Sequence, residues 1–146
     1  MNNVIILTGY TGGIGLELKN KILTGFPGFK KIFIGRGHES VALDNTHFFD
    51  IDLSNIGDFE VENIKRYLNF SDKIWFLNNA GTIKPIGSIN EISLEEVRAS
   101  FEVNVFSPML LLKAICSISS DVTVINITSG ASKKPVPYWG VYCASK

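Results

Sequence analysis

Four apolar residues, Val4-Ile5-Ile6-Leu7, run directly into Thr8-Gly9-Tyr10-Thr11-Gly12-Gly13-Ile14-Gly15, and an amphipathic stretch leaves the glycines. No other feature narrows the fold so far. A continuous apolar run is typical of a strand covered on both faces. A glycine turn between such a strand and a helix lets backbone amides approach a pyrophosphate. Gly9 permits the tight turn, and the later glycines allow the close approach. Two spacings fit: Gly9, Gly13 and Gly15, or Gly9, Gly12 and Gly15. The loop by itself leaves both open.

The alternation of short apolar runs with longer amphipathic ones continues, which predicts parallel strands joined by crossover helices. Val4–Leu7, Lys31–Ile34, His47–Ile51, Ile74–Leu77 and Val122–Ile127 read as strands one to five. A helix is expected over Gly13–Thr24 with Ile14, Leu18 and Ile22 inward, and another over Asn55–Leu68 with Ile56, Ile64 and Leu68 inward. Ser93 and Glu96 form a capping box that opens a long helix to Ile118, and Pro108 within it predicts a kink. The class is α/β, with one domain over residues 1–146.

Composition agrees and excludes several alternatives. With 146 residues, 45% apolar and 19% charged, the chain suits one domain with a sizeable core. Fourteen basic and fourteen acidic residues balance, so nothing electrostatic points to nucleic acid or an acidic membrane. Met1 to Leu7 has no basic leader, so it does not read as a signal peptide. Val103–Ile115 is interrupted by Asn104, Ser107, Pro108 and Lys113 and reads as too short to span a bilayer. Cys116 and Cys143 read as small buried side chains rather than a disulfide framework, which suits the cytosol. His38 and His47, a surface and a strand residue, have no partner at metal-ligand spacing, so no metal is expected.

Chemistry is concentrated at the other end. Tyr142 and Lys146 are four apart and share a helix face. A free tyrosine exchanges protons poorly near neutrality because its pKa is about 10, and a neighbouring ammonium favours the phenolate. In order, the chain carries the glycine loop, Asp52-Leu53 after strand three, Asn78-Asn79-Ala80-Gly81 after strand four, Asn104, Ser129, Tyr142 and Lys146. By this series it resembles the classical short-chain dehydrogenase/reductase family over its whole length. The Asn-Asn-Ala-Gly segment and the thirteen positions from Ser129 to Tyr142 favour that branch over extended relatives acting on nucleotide sugars. Lys134-Pro135 and Tyr138-Trp139-Gly140-Val141-Tyr142-Cys143 resemble the sepiapterin reductase and bacterial benzil reductase group.

The resemblance implies a doubly wound parallel sheet of order 3-2-1-4-5, with cofactor across the carboxyl ends of the strands. It implies cofactor contacts from Gly9, Thr11, Gly13, Ile14, Gly15, Asn79, Ala80 and Gly81. Asp52 would accept the adenine amino group, although the same residue could simply cap a turn before Ser54, and Leu53 would add a backbone contact. Tyr142 would donate the proton as hydride reaches a carbonyl carbon, and Ser129 would hydrogen-bond the oxygen. Lys146 would tune the phenol and hold the nicotinamide ribose, and Asn104 would distort its helix to place a water in the relay. Tyr138 and Trp139 suit either the substrate pocket or packing, and Thr82–Asn90 a loop at its mouth. After strand two comes Gly35-Arg36-Gly37, with no carboxylate until Glu39. An acidic residue there grips ribose hydroxyls, whereas arginine matches phosphate, so NADP(H) is expected.

Relatives of this kind continue for roughly a hundred residues past the lysine (an implication of the resemblance), so the last helix and strands of the family fold are expected to be missing. Strand five would then be an open apolar edge, and a helix of four or five residues ending at Lys146 should not form alone. Two functions follow: an NADPH-dependent reductase of a small carbonyl substrate, dimeric or tetrameric at full length, or a non-catalytic nucleotide-binding remnant of one.

Overall fold

The computed structural model describes residues 2–37, 39, 42–70 and 72–146, so His38 lies outside the described residues. Five parallel strands form one sheet in the order β3-β2-β1-β4-β5, namely β1 (Asn3–Thr8), β2 (Lys30–Gly35), β3 (Thr46–Asp50), β4 (Lys73–Asn78) and β5 (Val122–Asn126). The helices are α1 (Gly13–Gly25), α2 (Asp58–Lys65), α3 (Leu94–Phe101), α4 (Ser107–Ile118) and α5 (Gly140–Ser145). A π-helical segment, Glu102–Phe106, joins α3 to α4.

β1 holds the centre because it is apolar on both faces. Val4, Ile5, Ile6 and Leu7 are 0–1% exposed, and burying each such side chain contributes about 1.5–3 kcal/mol. Alternate residues feed opposite layers. Val4 and Ile6 join Ile32, Ile34, Ile74 and Phe76 against Val61 and Ile64 of α2 and Leu111 and Ile115 of α4. Ile5 and Leu7 join Phe33, Tyr10 and Ile22 of α1, with Leu18, Phe48 and Trp75 packed beside them. The sheet is therefore covered on both faces, the doubly wound arrangement that the family resemblance implied.

Several local expectations need correction. In α1 the buried row is Gly15, Lys19 and Ile22; Ile14 is 62% exposed, because Gly15 rather than its neighbour meets the sheet. The expected helix over 55–68 is a 3₁₀ turn at Leu53–Asn55 followed by the shorter α2, although Ile56, Ile64 and Leu68 are buried as anticipated. The irregularity assigned to Pro108 sits one turn earlier, in the π segment that leads directly into it, where the Ser107 amide donates to the Glu102 carbonyl; Pro108 itself is the second residue of α4. Cys116 is exposed, since it follows the buried Ile115 around the helix.

The unbroken helical run Leu94–Ile118 is 25 residues with a mean hydropathy of 1.5 in its most apolar window, so it passes the length and composition test for a membrane span. Its inner face, Ser107, Leu111 and Ile115, is buried in the core. Helix α5 does form, contrary to expectation. So short a helix has little stability of its own; it is held by burial of Val141 and Ser145 and by the Asn104 amide donating to Ser145 Oγ at 2.8 Å. β5 lies at the sheet edge, with Val124 38% and Ile125 43% exposed.

Candidate active site

The sheet order reverses between β1 and β4, and a crevice forms outside the strand ends there, where open α/β sheets bind ligands. The cleft has a volume of about 1020 Å³. It is lined by Gly9, Thr11, Ile14, Gly15, Arg36, Asp52 and Leu53 together with Asn79 to Ile86, Tyr142 and Lys146. Residues from both ends of the sequence thus share one cavity.

The structure chooses between the two glycine spacings. Gly9 and Gly13 have φ of +69° and +52°, the left-handed region that favours glycine. A Cβ on Gly15 would lie 1.8 Å from the Gly9 carbonyl oxygen. Gly12 has extended backbone, φ −161°, and a Cβ there would meet nothing within 4 Å. The required set is Gly9, Gly13 and Gly15. No acidic side chain occupies the first turn of α1, so its N-terminal amides and dipole stay available to an anion. Open space over Gly12 and Gly13 and tight packing beneath Gly9 and Gly15 make a cradle that fits a dinucleotide pyrophosphate.

Asn79 braces that cradle. Its Nδ2 donates to the Thr8 and Gly9 carbonyls, both at 3.0 Å, while Thr8 Oγ1 accepts the Asn79 and Ala80 amides at 3.0 Å. The sequence presented Thr8 only as part of the loop; its role as the pin between β1 and β4 emerges from register. Asp52 Oδ1 accepts from the Ser54 amide at 2.9 Å and its hydroxyl at 2.8 Å. The Ser54 amide, then the hydroxyl, and more weakly Arg36, hold the Asp52 carboxyl below its ordinary range against a small opposing effect of burial. Asp52 is therefore both a turn cap and a cleft residue, with Oδ2 left over.

Asn104 lies in the π segment, 8% exposed. Its Oδ1 accepts the Thr82 amide at 2.8 Å, and its Nδ2 donates to the Thr82 carbonyl at 2.9 Å and to Ser145 Oγ. Ser145 Oγ in turn donates to the Tyr142 carbonyl at 2.9 Å. This chain ties the segment after β4 to the helix carrying Tyr142 and Lys146. Gly81 packs closely against it: a Cβ there would stand 3.0 Å from Lys146 Nζ and 3.3 Å from Asn104 Oδ1. Burial pushes the Lys146 ammonium below its usual pKa. Lys146 Nζ is 6.0 Å from the centre of the Tyr142 ring, and Trp139 packs edge-on against that ring at 5.8 Å.

Ser129 is not among the residues lining the cleft, whereas Ile127 and Thr128 are. Its Oγ accepts the Ala131 amide at 3.2 Å and begins a 3₁₀ turn. Tyr138 is 66% exposed and lines a separate small cavity with Ile89 and Ile92. His47 packs against Tyr67 at 4.3 Å, and burial, then Lys30, push its pKa down. Among the described residues no cluster of His, Cys, Asp or Glu could hold a metal.

Replacing Asn104 with leucine would strand both Thr82 backbone groups. We expect a loss of about 2–3 kcal/mol in urea unfolding; a loss below about 1 kcal/mol would mean that Asn104 is not the tie described here.

Known proteins share both sequence and architecture with this chain. A benzil reductase, (S)-benzoin forming, from Bacillus subtilis is 33% identical over 159 residues, which covers 97% of this chain and 60% of the relative. An NADPH-dependent 3-dehydrocapnine reductase from Ornithobacterium rhinotracheale is 28% identical and matches 97% of this chain and 54% of its own length. The chain therefore spans 54–60% of the length of these two relatives. A crystal structure of a short-chain dehydrogenase/reductase from Burkholderia vietnamiensis superposes with a TM-score of 0.85 at 24% identity, covering 99% of this chain and 71% of that one, and shares the fold. The family model for short chain dehydrogenases matches residues 3–146, and with the sheet order and glycine cradle in hand, the chain belongs to the short-chain dehydrogenase family.

Proposed function

We propose that this chain carries the cofactor site and the proton donor of an NADPH-dependent carbonyl reductase acting on a ketone or dicarbonyl of the benzil type. The observation that carries the reading is the meeting of Tyr142 and Lys146 with the glycine cradle in one cleft. The cradle and Asp52 would hold the adenosine diphosphate part, and Lys146 the nicotinamide ribose. Once bound, the nicotinamide supplies a hydride to the carbonyl carbon.

The remaining work falls to side chains. Tyr142 gives its phenolic proton to the carbonyl oxygen, which completes the alcohol. Lys146, partly desolvated, places its positive charge beside that phenol and stabilises the phenolate left behind. Ser129 does not itself line the cleft but follows Thr128, which does; its Oγ accepts the Ala131 amide, which leaves its own proton for a substrate oxygen that reaches past Thr128. Asn104 has a second lone pair on Oδ1 for a water that returns the proton through Lys146. Both cysteines are free thiols, which suits the reducing cytosol. Phe106 and Met109, 52% and 64% exposed on the long helix, offer an apolar face for a dimer or tetramer.

Preference for NADPH rests on Arg36, which lines the cleft after β2 and offers a planar donor fork to a 2′-phosphate. The NADPH-dependent relative supports it. Arg36→Asp should shift the ratio of kcat/KM for NADPH over NADH by at least about tenfold, or 1.4 kcal/mol. Initial rates on benzil with both cofactors measure it, and a wild-type preference for NADH would overturn the assignment.

A further inference from the structure

The first acidic residue after Arg36 in sequence is Glu39, and it does not face the cleft. Its carboxylate is ion-paired with the Lys19 ammonium on α1. The Lys19 side chain is 11% exposed, and its Nζ stands 5.6 Å from the centre of the Tyr10 ring. Tyr10 is fully buried and its hydroxyl donates to the Gly37 carbonyl at 2.9 Å. The Gly37 amide donates to Asp50 Oδ1 at 2.9 Å, and its φ of +113° suits only glycine. Burial first, then Glu39 and Asp50, push the Tyr10 phenol up, which keeps it a donor. Both carboxylates near the Arg36 turn are thus engaged elsewhere, one by an ammonium and one by an amide. Neither lines the cleft, whereas Arg36 does.

The geometry points to Lys19 as a positioning residue for cofactor choice: it holds the Glu39 carboxylate behind the β2 turn, away from the surface where Arg36 would meet a ribose 2′-phosphate. The inference rests on the NADP(H) reading above and adds a residue outside the cleft to it. Glu39 is three residues past Arg36. Released from Lys19, its side chain gains freedom to reach the position where acidic residues accept ribose hydroxyls. A carboxylate there repels a 2′-phosphate but not an unsubstituted ribose.

Adenosine 2′,5′-bisphosphate and AMP, titrated calorimetrically into this chain, separate the possibilities. The wild type should favour the bisphosphate. Lys19→Met should weaken bisphosphate binding by about five- to tenfold and AMP binding by no more than about twofold. The double variant Lys19→Met/Glu39→Gln should return the bisphosphate to within about twofold of wild type, because the freed charge is gone. If Lys19 only supports Tyr10, both ligands weaken and Glu39→Gln rescues neither; that result, or no loss at all, overturns the proposal. A wild type without preference for the bisphosphate overturns the NADP(H) reading itself. Should Lys19→Met not fold, Lys19→Gln, which keeps a polar end, is read in the same way.

Discussion

Tyr142→Phe is expected to lower kcat on benzil by about 10²- to 10⁴-fold, the usual worth of a placed general acid, while NADPH affinity stays within about twofold of wild type. The substitution removes one hydroxyl. The ring that Trp139 packs against at 5.8 Å remains, so α5 keeps its seat. Lys146→Met should behave differently and damage both rate and binding, because that ammonium faces the phenol and the proposed ribose site together. Ser129→Ala should lower the rate about a hundredfold with binding intact. Fluorescence titration of NADPH beside initial rates distinguishes the three patterns. A Tyr142→Phe enzyme retaining more than about a tenth of wild-type kcat, less than about 1.4 kcal/mol of barrier, would remove Tyr142 from the mechanism.

Gly15→Ala should be the most damaging methyl group that could be added to any glycine of this chain. Its Cβ would fall 1.8 Å from the Gly9 carbonyl oxygen and 2.6 Å from Asn79 Nδ2. Neither is the loose end of a flexible side chain: the carbonyl is backbone, and Asn79 is fixed by its bonds to Thr8 and Gly9. The loop must therefore open, and with it the α1 N-terminus that would meet the pyrophosphate. We expect destabilisation of at least about 2–3 kcal/mol together with loss of dinucleotide binding. Gly12→Ala, three residues earlier, has open space around it and should cost no more than about 1 kcal/mol, the scale of a changed helix cap. Urea unfolding of the two variants side by side provides the check. Equal costs would mean that the glycines are interchangeable turn residues and that the assigned spacing is wrong.

Much of the fold was legible because it depends on local pattern. Val4 to Leu7 is apolar without interruption, and such a run is stable only when covered on both faces, which places it centrally. Ser93 and Glu96 announce a helix start through a reciprocal hydrogen bond three residues apart, and the structure shows both halves of it. Tyr142 and Lys146 share a helix face by spacing alone. Periodicity alone misleads where no neighbour fixes its phase. Ile14 looks like a core residue on a helical wheel, yet the close approach of Gly15 to Gly9 rotates α1 so that Ile14 faces the cleft. Cys116, expected inside because free cysteine is among the most buried residue types, is instead exposed on α4.

The sequence by itself determined the class, the strand order through its family resemblance, and the candidate chemistry, because apolar period, glycine requirement and i to i+4 spacing are all local properties of the chain. Tertiary structure decided which glycines matter, since Gly12 and Gly13 both have open space around them and differ in backbone φ, −161° against +52°. It formed α5, too short to persist alone, by packing Val141 and Ser145 and by hydrogen-bonding Asn104, forty-one residues earlier, to Ser145. It also turned Glu39, the one carboxylate that follows Arg36 closely, onto Lys19. Those outcomes depend on contacts between residues far apart in the chain, and such contacts are set by how the layers pack rather than by any short run of residues.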